Sequence, residues 1–69
     1  MNKLLFEALV ARYVADQLDA LAILSVYSSN SVGIGEHPQI TEEMDKLVQR
    51  YVDAGDKIEA ISEIAKKLS

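Results

Sequence analysis

The sequence predicts an all-α protein, an antiparallel two-helix hairpin that dimerises into a four-helix bundle. Three observations predict it. In the second half, Ile40, Met44, Leu47, Tyr51, Ala54, Ile58, Ile61, Ala65 and Leu68 follow one another at alternating spacings of four and three. That heptad average lays one apolar seam along a helix that packs on other helices. The first half repeats the alternation with Phe6, Val10, Tyr13, Gln17, Ala20, Leu24 and Tyr27. A short segment containing Gly33 and Gly35 separates the two seams. One domain therefore spans residues 1–69, with a helix over 2–29, a loop over 30–37 and a second helix over 38–68.

In the first helix, Phe6, Leu9, Val10, Tyr13, Gln17, Ala20, Leu21 and Leu24 fall on one broad face at helical spacing, and Arg12, Asp16 and Asp19 are expected on the opposite side. The face is wider than a two-stranded seam needs. Leu9, Val14, Leu21, Ile23 and Leu24 are therefore the expected self-association residues. Ser28, Ser29, Asn30 and Ser31 compete for backbone hydrogen bonds and end the helix. Val32-Gly33-Ile34-Gly35 then reverses the chain, since glycine adopts positive φ at little cost. His37-Pro38 reads as the next helix start, because proline suits the first helical position. Glu42, Glu43 and Asp45 near that start, with Lys66 and Lys67 at the far end, suit the macrodipole. Closing the hairpin sets Tyr27 opposite Ile40, Leu24 opposite Met44, Ala20 opposite Leu47 and Gln17 opposite Tyr51. Tyr13 then meets Ala54, Val10 meets Ile58 and Phe6 meets Ile61. Large residues meet small ones in several layers, as close packing requires.

Composition narrows what can stabilise such a chain. Sixty-nine residues without cysteine, 49% of them hydrophobic, bury only ~60% of the unfolded surface and lack disulfide staples. Burial against a second copy or a partner is the remaining route. One histidine and no cysteine argue against a structural zinc site. A net charge of −4 repels phosphate backbones and anionic lipid on average. Met1 to Phe6 open like a secretory leader, but Glu7 interrupts the apolar run, and no stretch approaches a membrane span. A cytoplasmic protein without membrane contact is expected.

The residues offer no catalytic constellation, metal set or cofactor motif, and a non-enzymatic role is expected. Gly33 and Gly35 lack the strand and third glycine of a dinucleotide fingerprint. His37 has no second histidine or paired nucleophile, and Ser28, Ser29 and Ser31 have no His and Asp beside them. Lys46, Arg50 and Lys57 form a basic stripe around Tyr51. Glu43, Asp53 and Asp56 interrupt it, so ion pairs along a wet face are the simpler reading than nucleic-acid binding. Gln17 is a polar residue within the seam, either fixing register through a hydrogen bond or reaching solvent. Gly55, costly within a helix by ~1 kcal/mol relative to alanine, is read as allowing close packing against Tyr13. The loop residues Val32, Ile34, Glu36 and His37 are the candidate partner contacts, because β-branched apolar residues are not required by a solvated turn. Their structural alternative is a plug in which Val32 and Ile34 close the end of the core.

The stretch Val32-Gly33-Ile34-Gly35-Glu36-His37-Pro38, then Glu42-Glu43-Met44-Asp45-Lys46-Leu47-Val48 and Asp56-Lys57-Ile58-Glu59, resembles short uncharacterised helical proteins of large tailed phages, the marine cyanobacterial myoviruses in particular. The likeness covers roughly residues 30–64, with Ser31 standing where those proteins carry proline. It implies a phage origin, action in the host cytoplasm and no established catalytic role. A helical-hairpin adaptor that forms a homodimer and binds a phage or host protein is the expected function. The hairpin format is also similar to Rop, a dimeric RNA-binding bundle, which makes a nucleic-acid-binding regulator the alternative; a shared architecture does not transfer function.

Overall fold

A computed structural model of the chain forms two antiparallel helices, α1 (Lys3–Ser29) and α2 (His37–Leu68), packed along their lengths. The structure describes residues 1–29 and 37–69, with His37 and Pro38 described in their backbone alone. The expected contacts Val32, Ile34 and Glu36 lie outside the described residues, as does the side chain of His37. No strand occurs among the described residues.

α1 starts where Asn2 caps it. The Asn2 Oδ1 accepts hydrogen bonds from the backbone N–H of Leu4 at 2.8 Å and of Leu5 at 3.3 Å, satisfying two donors that a helix start leaves open. The helix continues through Ser28 and Ser29. Their hydroxyls bond back to carbonyls one turn earlier, Ser28 to Ser25 at 3.2 Å and Ser29 to Ser25 at 2.7 Å. α2 begins at His37, so Glu42 and Glu43 lie beyond its first turn, where the dipole's influence has faded. Lys66 and Lys67 do occupy the last turn. The N-terminal ammonium of Met1 donates to the Leu68 carbonyl at 3.2 Å, tying the start of α1 to the open end of α2.

The register is the one the seams predict. Gln17 Nε2 reaches the Tyr51 carbonyl, Arg50 reaches Asp16 and Asp19, and the Lys57 ammonium lies 5.7 Å from the Tyr13 ring centre. Every seam residue is buried or half-buried except Tyr27, Tyr51 and Leu68. Three residues alone are buried among those described: Ala20, Ala54 and Ile61. Small side chains at Ala20 and Ala54 let the backbones approach closely there. Two helices side by side enclose a seam, with no third layer above it. The Cα envelope measures 53 × 16 × 11 Å with a radius of gyration of 15.9 Å, against about 11 Å for a compact domain of this length.

One expectation for α1 is corrected. Asp16 does not occupy the side opposite the seam. It is half-buried at the edge of the interhelix contact, where Arg50 of α2 reaches both it and the more exposed Asp19. The side opposite the seam is apolar instead.

Candidate interaction surface

The outer side of α1 carries a second alternation of four and three: Leu4, Ala8, Ala11, Ala15, Leu18, Ala22, Ser25 and Ser29, all exposed. At 100° per residue this row lies diametrically opposite the seam that meets α2. Leu5, Val14, Leu21 and Val26 flank it, and they too are exposed. Leu4, Leu5, Leu18 and Val26 are each more than half open to water. One helix thus has two apolar faces, of which α2 covers one. The outer side of α2 differs, carrying Glu42, Asp45, Asp53, Asp56, Glu59 and Glu63 in exposed positions, with Val48, Val52 and Ile64 exposed among them.

The expected self-association residues divide between these faces. Leu9, Ile23 and Leu24 are half-buried at the α2 contact, whereas Val14 and Leu21 flank the outer row. Reading α1 as one wide face merged two faces into one. The signal that separates them is the alternation of small residues, which a search for bulky apolar positions passes over.

A polar groove of 410 Å³ runs along the edge between the helices, lined by Asp16, Lys46, Gln49, Arg50, Asp53, Ala54 and Lys57. Its cations are engaged within the chain. Arg50 donates to Asp19 Oδ2 at 2.7 Å and to Asp16 Oδ1 at 3.1 Å. Hydrogen bonds to Asp16 and then Asp19 hold its pKa above the ordinary guanidinium value, against a smaller opposing effect of desolvation. Lys46 pairs with Glu43 at 3.4 Å, and Lys57 stands over the Tyr13 ring. Within the basic stripe of α2, Lys46 and Arg50 thus form ion pairs on a wet face, and Lys57 rests on an aromatic ring.

Among the described residues no cluster of three or more His, Cys, Asp or Glu is placed to hold a metal ion, and no helix is long and apolar enough to cross a membrane. Comparison with protein-family models, with curated proteins and with solved structures finds no match to this chain.

Proposed function

We propose that this chain is a small non-enzymatic interaction module: a helical hairpin that self-associates into a four-helix assembly and binds a phage or host protein in a bacterial cytoplasm. The observation that carries this reading is an imbalance. Among the described residues only Ala20, Ala54 and Ile61 are buried, while an aliphatic face running the length of α1 stays open to water. Contiguous apolar surface of that extent marks an association site. The phage resemblance of the loop and α2 supports the choice of partner class. A Rop-like role finds less support, because Lys46, Arg50 and Lys57 already have partners within the chain.

Sedimentation equilibrium at micromolar concentration tests the self-association, with an expected mass twice the 7.6 kDa of one chain. A cooperatively melting monomer overturns it. Capture of the tagged protein from infected cells, read by mass spectrometry, tests the adaptor role, and one stoichiometric protein partner is expected. A gel shift of mixed RNA and DNA that weakens steeply with salt would instead favour the regulator.

A further inference from the structure

We infer that the outer face of α1 packs antiparallel against the same face of α1 in a second copy of this chain, with Arg12 of each copy paired to Asp19 of the other. The inference rests on the self-association part of the proposed function and specifies its surface and register.

The occupant follows first from area. The chain exposes 5291 Å², against about 4,300 Å² for a folded monomer of its mass. The excess of roughly 1,000 Å² is close to the ~800 Å² that each partner contributes to a standard interface. The larger share of the exposed aliphatic side chains, Leu4, Leu5, Val14, Leu18, Leu21 and Val26, lies on α1, whereas the exposed Val48, Val52 and Ile64 of α2 are interspersed with carboxylates.

Self-complementarity supplies the second argument. Setting Ala15 opposite Leu18 of a second copy places a two-fold axis at the level of Asp16 and Gln17. The same operation brings Ala11 to Ala22 and Ala8 to Ser25, so each leucine meets a small residue and the helices can approach closely. In an antiparallel pair, flanking positions meet their own kind across the seam. Arg12 then meets Asp19 twice, Val14 meets Leu21 twice and Leu5 meets Val26 twice. Opposite charges face each other, and aliphatic faces aliphatic. A parallel pair sets Arg12 against Glu7, but it is poorer, because it stacks Leu18 on Leu18, sets Asp19 against Val14 and aligns the helix dipoles.

The charges are available for this. Arg12 is exposed and has no ion-pair partner among the described residues. Asp19 binds Arg50 through Oδ2, and its side chain remains 53% exposed. A carboxylate has capacity for a second cation. The resulting order of helices is α2, α1, α1 and α2, with both polar outer faces of α2 turned to water.

Charge exchange tests the register. In sedimentation equilibrium at low salt, Arg12→Asp is expected to weaken the dimer about tenfold, because two attractive pairs become repulsive. Adding Asp19→Arg to Arg12→Asp is expected to restore it, although that change also removes one internal partner of Arg50. Leu18→Asp is expected to abolish the dimer, with circular dichroism at high protein concentration reporting whether the hairpin still forms. If that variant unfolds, the charge exchange still decides, since it leaves the apolar row intact. Restoration by Glu7→Arg in place of Asp19→Arg would overturn the antiparallel register in favour of a parallel one. A wild-type dimer unmoved by Arg12→Asp and Leu18→Asp would overturn the surface while leaving self-association standing. A wild-type monomer would overturn both.

Discussion

Gly55 interrupts α2 where an added Cβ would stand 3.1 Å from the Nε2 of Gln17. That nitrogen donates to the Tyr51 carbonyl at 3.4 Å, a long bond at a half-exposed position. Two effects of Gly55→Ala therefore compete. Alanine gains ~1 kcal/mol of helix propensity, and the amide must shift by a few tenths of an ångström. The obstacle is the far end of a flexible side chain holding a weak bond, so propensity wins. Urea denaturation is expected to show a net gain of about 0.5 kcal/mol for Gly55→Ala; a loss would mean that the Gln17 amide is held rigidly. The four-three spacing made the level of Gln17 against Tyr51 legible, because spacing fixes axial position. It did not reveal that Gln17 rather than Tyr13 crowds Gly55, because spacing carries no rotamer.

The two helices are stabilised in different ways. α2 has one apolar seam and an outer side that is mostly charged despite the exposed Val48, Val52 and Ile64, so its amphipathic pattern orients it. α1 is apolar nearly all round, and its limits come from local hydrogen bonds: the Asn2 cap at the start and serine hydroxyls on carbonyls at the end. Asn2→Ala removes the acceptor for two backbone donors and is expected to cost ~1 kcal/mol in thermal unfolding, whereas Asn2→Asp should retain the stability. An unchanged melting temperature for the alanine variant would mean that water replaces the cap fully. The cap at Asn2 was less legible in the sequence, since the structure places it one residue before the helix proper.

As a whole molecule the hairpin is a single layer, 11 Å through its thinnest Cα dimension. Only Ala20, Ala54 and Ile61 are buried among the described residues, so folding and association are expected to be coupled. The melting temperature should then rise with protein concentration, since each tenfold increase favours a folded dimer by about 1.4 kcal/mol. Scanning calorimetry or circular dichroism across a hundredfold range of concentration checks this. A constant melting temperature would show that the isolated hairpin carries its own stability. The outer face of α1 also makes the isolated hairpin an aggregation liability, which a dimer would remove.

The sequence by itself determined two helices and the pairing between them. Period and chain reversal are local properties, and a heptad permits few registers. Which side of α1 remained uncovered was decided only by tertiary structure. α1 carries two seams of equal period on opposite sides, and periodicity cannot rank them. The row with Phe6, Val10, Tyr13 and Leu24 buries more apolar area against α2 than the alanine-rich row would. Arg50 reinforces that choice by drawing Asp16 and Asp19 to the same edge. The smaller row is left facing water because α2 can cover only one side of α1.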